Sequence, residues 1–445
     1  MPSKTPQFDK ALDEILGALV PHRRLCVICG DEFEIFQEDI EMYQKLRVPP
    51  PTFCPLCRMQ RRMTNYLRLP PFYRKPCSAP GHKETVVTLF PESHPAKVYD
   101  NAHWRSDAWD ELFYGRELQE GKSFFAQFHD LFFSIPHQAL FVDPKSVNSE
   151  YAIGGVEARN CYYAAGVIRS ENVLYSWFAK DSKDSVDVST IEGSELLYEC
   201  VNADDSYNCN FSKDIDKCRD SWFLYDCRNC TNCFMSSNLR KKSYYFNNQQ
   251  LTKEEYEIKI QASGLDRRSN LERLMRSFAD MRRKAIHRAV YTQNAVNSTG
   301  DRIFDCKNCF QTFEAYDNCE DLRYASYMLA SKDMVDVSGV DKSETAYEST
   351  GFASSSNLLF SANIRSSTFL EYSEYCRDSH YCFGSVGLKN KKFCILNRQY
   401  TEKEYWKLVD KIKSAMLARG EYGEFFPIGM MPYQNTFAQI YFPLT

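Results

Sequence analysis

The sequence predicts a mainly β protein with helical additions: a zinc-bound, ribbon- or treble-clef-like head, then a duplicated right-handed parallel β-helix. Three observations lead there. Residues 182–256 align with residues 331–405 at a constant offset of 149 without gaps, and 28 of those 75 positions are identical. Within each copy, short aromatic or β-branched clusters recur at steps of 11 or 12 residues, once 14, separated by Asp, Asn, Ser, Lys and Gly. Upstream stand two cysteine pairs, Cys26-Val-Ile-Cys29 and Cys54-Pro-Leu-Cys57. Self-similarity at a fixed offset marks a repeat architecture, whose stacked units bury a continuous core.

At 445 residues the chain is long enough for two or three domains. With 26% charged and 43% hydrophobic residues it reads as an ordered soluble protein. The formal charge of −4 is unevenly spread. Residues 42–83 hold nine Lys or Arg and no Asp or Glu, which leaves about −13 for the rest. No apolar run is long enough to span a bilayer, and the start lacks the apolar stretch of a secretory signal. Eighteen cysteines, several in C-x2-C pairs, then favour reduced thiols and metal over a disulfide framework. A cytoplasmic protein is expected.

Residues 1–20 read as a docking helix, with Phe8, Leu12, Ile15, Leu16 and Leu19 on one face and Pro21 as its stop. Residues 21–80 form the zinc-binding head. Each cysteine pair makes a knuckle, and the two knuckles converge on one tetrahedral Zn2+ held by Cys26, Cys29, Cys54 and Cys57. Gly30 suits the sharp turn after the first pair. Between the pairs, Phe36, Ile40, Tyr43 and Leu46 are spaced for one face of a helix. The bland alternative is two unrelated pairs in a cysteine-rich chain.

After the second knuckle, Arg58, Arg61, Arg62, Asn65 and Arg68 fall on an arc of about 120° of a helical wheel, opposite Met59, Met63, Tyr66 and Leu67. A guanidinium face anchored at a metal site suits phosphate, and Arg74 and Lys75 extend it. Tyr43, Tyr66, Phe72 and Tyr73 supply rings for stacking on unpaired bases. The alternatives are a solvated basic face or one that meets an acidic partner.

Residues 81–150 read as a helical connector. Cys77, His82, His94 and His103 make a conceivable second metal set, but their spacing matches no metal pattern, so ordinary histidines are expected. Phe124, Phe128, Leu131, Phe132 and Ile135 form an aromatic helix face, placed to cap strand edges at the start of the repeat.

The two β-helix copies span residues 151–250 and 293–400. Two strands per unit of roughly 23 residues fit one rung of a parallel β-helix, and about eight rungs at ~4.8 Å give a rod of roughly 40 Å. Hairpin dipeptides are missing, which weighs against a sandwich. Cys200, Cys209, Cys218 and Cys227 are nine apart and Cys227-x2-Cys230-x2-Cys233 resembles part of an iron–sulfur run, but the second copy replaces four of these six by Ser349, Leu358, Ser367 and Ser379. Ligands are rarely exchanged for Ser or Leu, so buried thiols in a stacked core are expected. The repeated Ser-Lys-Asp-x-Val-Asp-Val-Ser motif places Asp187 and Asp336 alike; turn formation explains them better than a polysaccharide-cleaving site.

Residues 251–292 form a helical insertion in which Arg267, Arg268, Arg273, Arg276, Arg282, Arg283, Lys284 and Arg288 outnumber the acids, a second basic surface. Thr252 with Glu255, and Thr401 with Glu404, stand at capping-box distance. Residues 401–445 are a C-terminal helix and an aromatic tail that packs along the repeat.

Three stretches carry a resemblance. Cys54-Pro-Leu-Cys57-Arg58-x-x-Arg61-Arg62, the phrase from Cys382-Phe-Gly-Ser-Val-Gly to Asn397-x-Gln-Tyr-Thr-x-x-Glu-Tyr405, and Gly423-Glu-Phe-Phe-Pro427 resemble an uncharacterised family from ultrasmall candidate-phyla bacteria. Its members look like zinc ribbons joined to cysteine- and asparagine-rich repeats. The resemblance spans nearly the whole chain and implies this architecture and a bacterial cytoplasmic setting, with no activity attached. The first copy departs from the phrase, with Met235 and Asn238 in place of its two glycines.

The expectation is a non-catalytic, zinc-dependent binding or scaffold protein. Its basic head contacts RNA or DNA, its β-helix meets a protein partner, and neither membrane nor small-molecule substrate is involved. The rivals are a purely structural protein–protein adaptor and a carbohydrate-active enzyme with a carboxylate-lined groove around Asp187 or Asp336.

Overall fold

Up to the antiparallel hairpin that closes each copy at residues 243–250 and 392–399, backbone pairing obeys one rule: strands run parallel and each residue faces the one twelve positions on, as Ser189 faces Val201 and Ser356 faces Thr368. Steps of 11 and 13 occur near residues 292–326. Every third side chain is buried, four to a step, as in Ser194, Leu197, Cys200 and Ala203. The step is therefore twelve residues with four inward positions, rather than the pair of strands over roughly 23 residues expected from cluster spacing. Between inward positions, one residue in three is left-handed, including Asp187, Asn202, Asp205 and Asn208 at φ of 47–54°. Asn and Asp tolerate that conformation better than other side chains. They also brace successive steps, as the Asn202 amide donates to Asp214 at 2.7 Å and that of Asn208 to Asp220 at 2.8 Å.

Inward Ser and Cys do the same job. The Ser349 hydroxyl donates to the carbonyl of Tyr347 at 3.0 Å, and the aligned Cys200 thiol points at the carbonyl of Tyr198 at 3.5 Å. This is why the copies exchange the two residues. All six cysteines of the first copy's run are buried.

This computed structural model describes residues 3–443; Met1, Pro2, Leu444 and Thr445, at the outer ends of the docking segment and the tail, lie outside the described residues. It is mainly β, with helices α1 (Pro6–Gly17), α2 (Gln37–Leu46), α3 (Pro55–Met63), α4 (Asn101–Arg105), α5 (Phe124–Ser134), α6 (Lys253–Ala262), α7 (Arg268–Lys284), α8 (Glu402–Ala418) and α9 (Ala438–Tyr441). Among the described residues, no helix is long and apolar enough to cross a membrane.

Two units form. One comprises residues 68–72 and 140–289, the first copy with its helical insertion. There α7 lays Leu274 and Phe278 against Phe223, Phe234 and Met235. Asn238 receives the chain beyond α7, donating to the carbonyl of Ile286 at 2.9 Å and accepting from its N–H at 3.1 Å.

The other unit comprises residues 1–67, 73–139 and 290–445, so the head and connector belong with the second copy. Helix α1 seats Phe8 on Tyr422, with ring centroids 4.7 Å apart, and the Asp410 carboxylate of α8 accepts from the N–H of Phe8 at 2.9 Å. Helix α5, expected to cap the start of the first copy, lies instead on the second. Its Phe124 ring sits 5.2 Å from both Tyr372 and Phe383. Gly384 makes room for it, since a Cβ there would lie 2.8 Å from that ring. The first copy has Met235 at this position, which feeds the α7 cluster.

Candidate metal centre and the arginine helix

The head begins with an antiparallel hairpin of β1 (His22–Leu25) and β2 (Glu32–Ile35). Its turn carries Cys26 and Cys29, closed by the Gly30 N–H donating to the Cys26 carbonyl at 3.0 Å, with Gly30 at φ +77°. Cys54 is the N-cap of α3, and Cys57 lies in its first turn. The four sulfurs lie within 4.8 Å of one another, and Cys29 and Cys54 are 3.8 Å apart. Tetrahedral thiolates at ~2.3 Å from an ion stand roughly 3.8 Å apart. The set is positioned to bind a metal ion. Burial raises the Cys26 thiol, but backbone contacts from Cys29, Cys54 and Ile28 outweigh it and bring the group down to about 6. Burial and the neighbouring sulfurs hold Cys57 well above its ordinary value.

A second group forms where the hairpin of β3 (Tyr73–Pro76) and β4 (Thr85–Thr88) meets the start of α4. Ligand atoms of Cys77, His82, Glu84 and Asp100 lie within 4.8 Å of one another. The N–H of Asp100 points at the Cys77 sulfur at 3.3 Å, and His82 Nδ1 lies 2.6 Å from Glu84 and 3.2 Å from Asp100. The His103 ring packs edge-on against His82 at 4.8 Å, and its Nε2 is buried without a hydrogen-bond partner. His94 stands apart, between Phe90 and Phe133. Cys77 and His82 thus come together, with two acids that the sequence reading left out.

The guanidinium face of α3 does not face solvent. Arg58, Arg61 and Arg62 are all buried, the first and last at 1% exposure. Arg58 Nε donates to Asp336 at 2.8 Å and Arg62 Nη1 to the other oxygen of the same carboxylate at 3.1 Å. Arg61 donates to Glu348 and to Glu424. Three guanidinium groups meet three carboxylates, so the charge taken from water is balanced. Burial pushes the Glu348 carboxyl up, and the charges of Arg61 and Arg62 pull it back.

This corrects the expectation of a phosphate-binding face: the helix is amphipathic, but its polar side is the docking side. Most of the remaining residues of that reading pack against the protein too. The Arg68 guanidinium lies over Phe141 at 4.3 Å. Lys75 donates to the carbonyls of His94 and Ala96, and Arg74 is exposed on β3. Tyr43 packs edge-on against Tyr347 at 6.0 Å, and Tyr66 stacks on Phe437 at 4.5 Å. Phe72 packs against Tyr151 and Tyr163, and the Tyr73 hydroxyl receives Gln434 at 3.1 Å. Compared with protein-family models and with curated proteins, the chain matches none.

Proposed function

We propose that the chain is a non-catalytic, zinc-dependent scaffold that offers a protein-binding surface. In this reading the four cysteines hold Zn2+ in a treble-clef-like head, and each twelve-step block is a right-handed parallel β-helix. Four soft thiolates in tetrahedral reach suit zinc, and a hairpin knuckle joined to a helix-borne knuckle suits that head. Constant parallel steps and the strong bias toward right-handed crossovers favour the β-helix. The observation that carries the functional choice is the burial of Arg58, Arg61 and Arg62 against Asp336, Glu348 and Glu424, which turns the best nucleic-acid candidate into an internal clasp. The same burial removes Asp336 from any carboxylate-lined groove. A reducing compartment such as the cytoplasm suits the eighteen free cysteines.

Native mass spectrometry of the chain purified from its own cells tests this. A polypeptide in fixed stoichiometry is expected; nuclease-sensitive nucleic acid in its place overturns the reading.

One observation favours a second reading. Helix α7 exposes Arg268, Arg273, Arg276, Arg283 and Lys284, a basic strip through which RNA or DNA would bind. That binding would weaken steeply with salt and vanish on reversing the charges of Arg273 and Arg276.

A further inference from the structure

The clasp that holds the head has a twin. In the second copy Tyr324, Asp336, Glu348, Phe360 and Tyr372 recur every twelve residues, and in the first copy Tyr175, Asp187, Glu199, Phe211 and Phe223 occupy the same positions at the offset of 149. The backbone at the aligned acids is alike, with φ of 54° and 51° at Asp187 and Glu199 against 56° and 41° at Asp336 and Glu348. Successive steps are bonded in both copies, Glu199 N–H to the Val186 carbonyl at 3.2 Å and Phe360 N–H to that of Tyr347 at 3.0 Å. The side chains therefore leave the stack in the same manner.

What differs is the cover. Tyr324 and Tyr347 are 8% and 0% exposed beneath the head, whereas their counterparts Tyr175 and Tyr198 are 53% and 39% exposed. Asp336 and Glu348 are buried under three arginines; Asp187 and Glu199 are exposed and, among the described residues, take part in no ion pair.

We propose that the exposed part of this column, Tyr175, Asp187 and Glu199 with the adjoining Tyr198, is a docking face for an arginine-bearing helix of a partner polypeptide, spaced Arg-x-x-Arg-Arg and held as α3 is held on the second copy. The proposal deepens the scaffold reading and rests on it. Arginine rather than lysine is specified, because two guanidinium groups must share one carboxylate through directed N–H donors, as Arg58 and Arg62 share Asp336. The partner is not a second copy of this chain, since its one Arg-x-x-Arg-Arg stretch, in α3, is already buried within its own chain. Nor is it nucleic acid, which two exposed carboxylates repel. The column also sets a limit on the helix. Gly339 and Gly351 make way for the Tyr66 ring, where added Cβ atoms would lie 2.6 and 3.0 Å from it. The first copy has Thr190 and Asn202 at those positions. The partner helix therefore carries a small residue, not an aromatic one, four positions after its last arginine.

The test uses the full zinc-loaded chain and a fluorescent, lactam-bridged peptide of residues 53–65 with Cys54→Ser and Cys57→Ser, which ends before Tyr66. Fluorescence anisotropy is expected to show saturable binding. Asp187→Asn with Glu199→Gln in the chain is expected to weaken it roughly tenfold or more, as is lysine in place of the peptide's arginines. Both acids are exposed, so thermal melts of the double variant should overlay the parent. No saturable binding, or binding indifferent to the double variant or to lysine, overturns the proposal. A co-purifying partner that footprints elsewhere would leave the scaffold reading standing and remove this one.

Discussion

Arg61 meets Glu348 through a single nitrogen, Nη2, which lies 2.8 Å from one carboxylate oxygen and 2.9 Å from the other, with both side chains shielded from water. Removing one member of a buried pair strands the other charge. Glu348→Gln is therefore expected to cost about 3–5 kcal/mol, whereas Glu199→Gln at the aligned exposed position stays within about 0.5 kcal/mol. Urea denaturation of the two variants side by side measures the difference, and equal costs would contradict the clasp.

A pH dependence follows from Glu374. It is fully buried, its Oε1 receives only the Asn363 amide at 3.3 Å, and its Oε2 has no partner. Burial pushes the carboxyl up to about 8 against an ordinary 4.5, with the Asn363 hydrogen bond pulling weakly the other way. Between those values the folded state holds a proton that the unfolded state has released. The contribution is present in full below about 4.5 and is lost as pH rises through about 8. Glu374→Gln should flatten the fall in stability across this window and leave the protein more stable than the parent above it, read from melting curves at several pH values.

Metal removal should release the head. Structural zinc sites contribute on the order of 10 kcal/mol to the folded form of small domains. Cys54→Ser is expected to lose the ion and open residues 22–67 to protease, with the steps of the first copy still protected from hydrogen exchange. Elemental analysis of Cys77→Ser then reports on the second group, as one ion fewer per chain if it is loaded.

Gly339→Thr installs the residue that the first copy carries. Gly339 sits at φ +69° and a Cβ would lie 2.6 Å from the Tyr66 ring. A cost of about 2–3 kcal/mol is expected from strain and overpacking together, against a near-neutral Thr190→Gly. Chemical denaturation checks both, and a silent Gly339→Thr would mean that Tyr66 is not packed there.

The cysteine quartet was legible because a knuckle is local: two residues between thiols already fix their separation. The second group was half legible, since Asp100 reaches Cys77 and His82 through the start of a helix rather than through spacing. Its trace was the Asp100-x-x-His103 placement at that start. The polar face of α3 was legible as a face but not in its purpose, because Arg62 and Asp336 are 274 residues apart and periodicity carries no information on partners at that distance. The duplication held the missing clue, for Asp336 and Glu348 are kept in both copies. The step of twelve was visible in the cluster spacing. Doubling it into a rung followed from counting two short strands per rung, where four inward positions already fit within one step of twelve.

That distance also has a meaning in time. At ordinary elongation rates of about 5–20 residues per second, Arg62 leaves the ribosome roughly 15–50 s before Asp336 exists. The first copy emerges in between, carrying the same tyrosine, aspartate and glutamate. For that interval the chain holds Asp187 and Glu199 but not yet the seat of its arginines, and it is the later copy alone that carries Gly339 and Gly351, rather than Thr190 and Asn202, where Tyr66 comes to rest.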